Sequence, residues 1–149
     1  MKKSLINLTH LFFLFTFLLP GIYPQEKTGT IIIELDKIEN QKGSIQVSLY
    51  NNEDGFPDDY KKAFFYKTYP ITPELNKITI EDIPFGTYAL AILHDENDNF
   101  KLDTNFLGIP KEGYGFSNNV KGMFGPPSFN RAKFEMNENE SFHLIKLNY

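Results

Sequence analysis

The chain of 149 residues contains no cysteine. That excludes a disulfide scaffold, a thiol nucleophile, a thiolate metal site and a lipid-modified cysteine behind a leader. It has no excess of positive charge: 15 Lys and Arg stand against 19 Asp and Glu, for a net charge of −4 and a pI near 5.4. A nucleic-acid partner is therefore not expected, because that footprint needs a basic face. No stretch sustains a 3.6-residue apolar period, so long amphipathic helices are not expected either. There is no internal repeat and no interdomain linker. The length suits one domain. Charged residues at 23% are ordinary for a globular chain.

One hydrophobic run is long. Lys2 and Lys3 precede a stretch from Leu5 to Leu19 that is nearly all Leu, Phe and Ile, broken by Asn7, Thr9, His10 and Thr16 and ended by Pro20 and Gly21. A charged start and a short apolar run are the pattern of a secretory signal, whose apolar core spans about 7–15 residues, against about 20 for a spanning helix. The usual small residues at the cleavage site are missing. Processing is expected between Gly21 and Gln25, with an uncleaved anchor as the alternative. The expected division is a signal over residues 1–25 and a single domain over residues 26–149. That domain would be exported to the periplasm or the exterior, a monomer that meets a membrane only through its N-terminal signal.

The remainder alternates with a period of two, the mark of strands with one face in a core. Ile31, Ile33 and Leu35 alternate with Ile32, Glu34 and Asp36; Ile45, Val47 and Leu49 with Gln46 and Ser48; Ile78 and Ile80 with Lys77, Thr79 and Glu81. Tyr88, Leu90 and Ile92 share one face, and Ala132, Phe134 and Met136 share another. Aromatic residues from Lys62 to Tyr69 suggest a further strand. Phe142 to Asn148 suggests the last, with its inward face undecided. Turn signals at Gln41–Gly43, Asn52–Gly55, Pro70–Pro73, Pro84–Gly86 and Asn137–Asn139 separate the runs. The expected fold is all-β: an antiparallel two-sheet sandwich of about seven strands, immunoglobulin-like or transthyretin-like.

One segment breaks the rhythm. Thr104 to Asn130 holds Gly108, Gly113, Gly115, Gly122 and Gly125 together with Phe106, Tyr114, Phe116, Phe124 and Phe129. Loops beyond about 12–15 residues in a compact domain are functional or disordered. Aromatic residues at this density want burial, so an ordered Gly/Pro/aromatic loop over one end of the sandwich is expected. Phe106, Phe116, Phe124 and Phe129 would form its own small core, or else stack on a sugar ring or a partner. Tyr114, Phe116, Ser117, Asn118 and Phe124 are its candidate surface residues, with His94 and Glu112 beside them.

The strongest chemical signal lies just before that loop. Asp95, Asn97, Asn99 and Asp103 take the spacing of positions 1, 3, 5 and 9 of an EF-hand-type calcium loop, and the Lys101 carbonyl would take position 7. Ca²⁺ wants 6–8 oxygens at about 2.3–2.6 Å, and a tight turn aims alternate side chains inward. Two positions depart from the pattern. Phe100 stands where Gly would accept a left-handed conformation, and Phe106 stands where the bidentate Glu belongs. Glu112 could supply the missing carboxylate. The other reading is an Asx-rich turn whose side chains cap their own amides.

His94 with Asp95, Asp103 or Glu112 could also be read as an acid–base set, giving a hydrolase acting on envelope material. On its strand His94 shares parity with the inward Tyr88, Leu90 and Ile92, as a packed rim histidine would. Gly115-Phe-Ser-Asn-Asn119 lacks the final Gly of a nucleophile elbow, and Gly113-x-Gly115 lacks the third Gly of a dinucleotide loop.

Longer matches carry a resemblance. Gly43–Tyr50, Gly55-Phe-Pro57, Ile83–Tyr88, His94–Asn99, Leu102–Asn118 and Phe124–Phe129 together resemble the secreted bacterial proteins grouped as the domain of unknown function 2141 family. The likeness runs from about Thr28 to Tyr149. It implies export and a small β-rich domain, and it implies no activity. Members of that family usually carry Asp-x-Asn-x-Asn-Gly in the turn, where Phe100 replaces the Gly. Pro84 to His94 is also similar to the last strands of transthyretin-like and collagen-adhesin modules, which are structural or binding domains. The expectation is a non-enzymatic binding or structural module for an envelope or extracellular ligand, with a turn that Ca²⁺ could clamp.

Overall fold

The computed structural model describes residues 26–122 and 125–149, so the expected signal over residues 1–25 and the candidate Phe124 lie outside it. Eight strands follow in chain order: β1 (Thr28–Asp36), β2 (Ser44–Tyr50), β3 (Phe65–Pro70), β4 (Lys77–Pro84), β5 (Gly86–Asp95), β6 (Gly113–Phe116), β7 (Phe134–Met136) and β8 (Glu140–Lys146). They form two sheets, ordered β4-β1-β8 and β3-β2-β5-β6, with β7 pairing the start of β5. This is the expected all-β sandwich with one strand more. All pairs are antiparallel except β1 with β8, whose parallel pairing sets the first described strand beside the last.

The core lies between the sheets and follows the alternation. Ile31 and Ile33 from β1, Ile45 and Val47 from β2, and Leu90 and Ile92 from β5 are buried together. Each such side chain contributes about 1.5–3 kcal/mol of burial. β4 carries an extra residue against β1, with Asp82 at φ 58°, and this bulge turns Ile83 inward after Ile78 and Ile80. The undecided face of β8 resolves in favour of Ile145, which is buried; Phe142 and Leu144 point outward, 58% and 45% exposed.

The segment expected as one long loop is partly regular. It contains β6, a 3₁₀ turn at Ser117–Asn119, and the start of a one-turn helix, α1 (Phe129–Ala132), which takes Ala132 out of the expected strand and leaves β7 only three residues. The glycines of β6 explain why no strand was legible there. A Cβ on Gly113 would stand 2.5 Å from the Tyr149 ring, and one on Gly115 would stand 2.6 Å from Ile145 Cγ2. β6 presses against the C-terminal segment too closely for any side chain. The Tyr114 and Asn148 backbones exchange hydrogen bonds of 2.9 and 2.8 Å, so the two sheets join at that corner. Next to it Asn119 Nδ2 donates to the Leu144 carbonyl, and Asn119 Oδ1 accepts from the Lys146 N–H, both at 2.8 Å. One carboxamide thus stands in for a neighbouring strand along the free edge of β8.

Among the described residues no helix is long and apolar enough to cross a membrane.

Candidate functional site

β2 and β5 occupy the middle of the larger sheet, and β2 is buried on both faces along its whole length. Something must therefore cover the outer face. Phe56 from the β2–β3 connection, with Phe116 and Phe129, closes over Tyr50, Ala89, Ala91 and Ala132 as a second apolar cluster. Phe56 meets Tyr50 and Phe129 edge-on, at 5.3 and 5.9 Å between ring centres. The Tyr50 hydroxyl donates to the Pro57 carbonyl at 3.0 Å, and burial pushes its pKa up to about 12, which keeps it a donor.

Beside this cluster the cover stops short and leaves a pocket of about 370 Å³. Gln46, Ser48, Ala91 and Leu93 floor it; Asp58, Tyr60, Phe100, Leu102, Thr104 and Tyr114 wall it. A polar chain runs along its edge. Thr68 Oγ1 donates to the Tyr66 hydroxyl at 3.2 Å, the Tyr66 hydroxyl to Gln46 Oε1 at 3.1 Å, and Gln46 Nε2 to Asp95 Oδ2 at 2.5 Å. Tyr66 stacks on Tyr60, 4.5 Å between ring centres, and Phe100 lies 6.2 Å from Tyr60. Burial holds the Asp58 carboxyl above the ordinary carboxylate range. Asp58 as a residue is exposed, so its carboxyl marks the rim. A wider concavity of about 660 Å³ opens at the other end of the sandwich, around Glu26–Thr28 and Asn137–Asn139. No buried polar side chain faces it.

The acidic turn forms one wall of the pocket and is closed on itself. Asp95 is fully buried; Oδ1 accepts from the Asn99 N–H at 3.1 Å and Oδ2 from the Phe100 N–H at 2.7 Å. Asn97 Oδ1 accepts from the Asn99 N–H, and Asn99 Oδ1 from the Lys101 N–H. The Asn97 and Asn99 carboxamide nitrogens both donate to the Asp103 carboxylate, at 2.7 and 3.1 Å. Phe100 takes φ 64° and Asp98 φ 56°, so the left-handed bend expected at position 6 is present without Gly. The bond from its amide to Asp95 offsets the steric cost. This is the Asx-capped arrangement. The five residues of the expected calcium set are brought together, but every named side-chain oxygen already accepts an N–H.

The acid–base set does not converge on a common cleft. His94 is fully buried, with Nε2 2.9 Å from the Lys42 carbonyl and Nδ1 2.8 Å from the Tyr149 hydroxyl. A carbonyl only accepts, so Nε2 carries the proton and Nδ1 accepts from Tyr149. The Tyr149 oxygen in turn accepts from the Glu39 N–H at 3.0 Å. Glu112 is buried and accepts from the Glu96 N–H at 2.9 Å and the Asp103 N–H at 2.8 Å. Glu112 thereby ties the start of the long segment to the acidic turn.

The remaining loop candidates divide. Tyr114 and Phe116 line the pocket. Ser117 and Asn118 are framework: Ser117 Oγ donates to the Ala132 carbonyl at 2.6 Å and accepts from the Leu90 N–H at 2.9 Å, while Asn118 Nδ2 reaches the Ala132 and Lys133 carbonyls. The expected loop mini-core holds for Phe116 and Phe129 and fails for Phe106, which is 94% exposed. Sequence reading missed Gln46, Ser48, Asp58 and Tyr60. Gln46 and Ser48 sit at positions that alternation assigns to solvent, and nothing local announces the cover above them.

A family model described as an uncharacterized protein conserved in bacteria (DUF2141) matches residues 33–143, about three quarters of the chain. That span holds β2 to β7, the acidic turn and the pocket. No curated protein and no solved structure matches.

Proposed function

The chain belongs to the DUF2141 family of uncharacterized bacterial proteins, and on that premise we propose an exported, non-enzymatic binding module whose ligand occupies the pocket on the outer face of the larger sheet. The observation that carries this is a concave, mostly apolar seat with a few polar groups at fixed positions, the ordinary form of a small-ligand site. Tyr60 and Phe100 offer aromatic surface, Ser48, Thr104 and Tyr114 offer hydroxyls, and Asp58 and Lys101 cancel in charge. Such a set suits a neutral ring with one apolar face and a polar edge, which is the chemistry of a saccharide. Export rests on the Lys2–Lys3 start and the apolar run from Leu5 to Leu19.

No hydrolytic role belongs to this reading, because Asp95 and Glu112 serve backbone amides and both nitrogens of His94 are held. This reading requires no Ca²⁺, because N–H donors alone account for the order of the turn.

Ligand-observed NMR with glucose, N-acetylglucosamine and cellobiose as probes tests the site. Saturation transfer to ring protons of at least one probe is expected, and it should vanish in Tyr60→Ala. Silence from all three probes overturns the saccharide assignment.

A further inference from the structure

Beyond the pocket, the chain from Asp103 to Lys111 folds into a tight hairpin. The Lys111 N–H donates to the Asp103 carbonyl at 2.8 Å, and Thr104 pairs with Pro110. Its tip presents Phe106, Leu107 and Ile109, which are 94%, 68% and 55% exposed. Contiguous apolar side chains held in water on an ordered loop mark an interaction site.

The backbone of this tip is largely self-bonded through its amide donors. The Asn105 N–H donates to the Ile109 carbonyl at 2.8 Å, and the Gly108 N–H to the Asn105 carbonyl at 2.9 Å. Asn105 Oδ1 accepts from the Leu107 and Ile109 amides at 2.9 and 3.0 Å. Pro110 has no N–H. Four of the five amide donors from Asn105 to Ile109 are therefore satisfied within the tip, which lowers the penalty for moving it from water to the lipid headgroup boundary.

Charge around the tip points the same way. Lys101 and Lys111 flank it, are exposed, and form no salt bridge among the described residues. The nearest acids in sequence are less exposed than these lysines: Glu112 is buried on two amides, and Asp103 is partly buried beside the Asn97 and Asn99 carboxamides. A convex tip of three side chains is also far smaller than a stable protein–protein interface, which buries about 1,200–2,000 Å² with shaped complementarity. A bilayer needs no such match.

We propose that this hairpin docks the protein on a lipid bilayer surface. Phe106, Leu107 and Ile109 enter the boundary between headgroups and acyl chains, and Lys101 and Lys111 lie at the lipid phosphates. The proposal does not depend on the pocket having a ligand.

The chain has no Trp, so Phe106→Trp places a single reporter at the tip of the full chain. Phe142→Trp, on the outer face of the smaller sheet, is the control. Phosphatidylcholine vesicles, with and without phosphatidylglycerol, are the probe. Emission from position 106 should shift to the blue and be quenched by brominated acyl chains, more strongly with the anionic lipid at low salt, while position 142 stays unshifted. A retained N-terminal segment would tether the whole chain but would not single out position 106. In the Phe106→Trp background, Leu107→Ser and Ile109→Ser should each weaken vesicle partition by about tenfold. No shift at position 106 with either vesicle overturns the proposal. So does an equal shift at both positions. So does a shift that grows with protein concentration in the absence of lipid, which would mean that a second copy covers the tip.

Discussion

The two sheets of this molecule use the same strand pattern to different ends. In the smaller sheet one face packs the core and the other is open, so β1 alternates throughout and β4 alternates up to its bulge at Glu81–Asp82. In the larger sheet both faces are buried along β2 and most of β5, and the outer one is covered by connections rather than by a third layer. The first sheet is held mainly by apolar burial, with the Asn119 carboxamide as a polar anchor at its β8 edge. The second also depends on a few buried polar anchors, Asp95 above all, that pin its cover in place. The pocket exists because that cover is incomplete.

Breaking an anchor should therefore cost far more than altering the open face. Asp95→Ala removes the acceptor for two backbone amides and the Gln46 carboxamide in a buried setting, and should destabilise by about 3–5 kcal/mol in urea unfolding. Phe142→Ser on the open face should stay within about 0.5 kcal/mol of the parent. Similar costs for the two would end the contrast between the sheets.

A smaller effect sharpens the comparison from the other side. His143, on the inward parity of β8, lies 4.0 Å from the Phe134 ring, and burial holds its imidazole below the ordinary 6.5. The unfolded chain therefore takes up the proton first as pH falls. This contribution to stability is intact well above 6.5, declines below it, and levels off once the folded histidine is also protonated. Urea midpoints at two pH values on either side should show the decline, and His143→Gln should flatten it. The smallest expected effect is that of Ca²⁺. Adding millimolar Ca²⁺, or removing it with a chelator, should leave the melting temperature unchanged, because the oxygens of the turn are already matched by N–H donors. A clear upward shift on addition, lost in Asp95→Asn, would replace the self-capped turn with a metal-built one.

What the sequence made legible divides along the same line. β1, β2, β4 and most of β5 could be read from alternation, because their inner faces answer to one core. β6 could not, since two of its four residues are Gly, required by contact with Tyr149 and Ile145 from far along the chain. β8 offered two competing faces, and the outward one carries Phe142 and Leu144. The acidic bend was visible as a turn, but whether its oxygens face an ion or amides depends on how Asn97 and Asn99 lie against Asp103, which spacing does not encode. The pocket was invisible for a related reason. Gln46, Ser48 and Tyr60 acquire their roles from a cover assembled out of distant segments.

The side chain of Asn119 has a consequence for life at high concentration. An open parallel edge invites another molecule to add its own strand, and such addition is how fibres begin. Here that invitation is declined internally: an incoming chain must first pull one asparagine away from Leu144 and Lys146. At the β8 edge, templated stacking in a crowded solution is accordingly opposed by a plug two bonds deep, carried on the three-residue turn Ser117–Asn119.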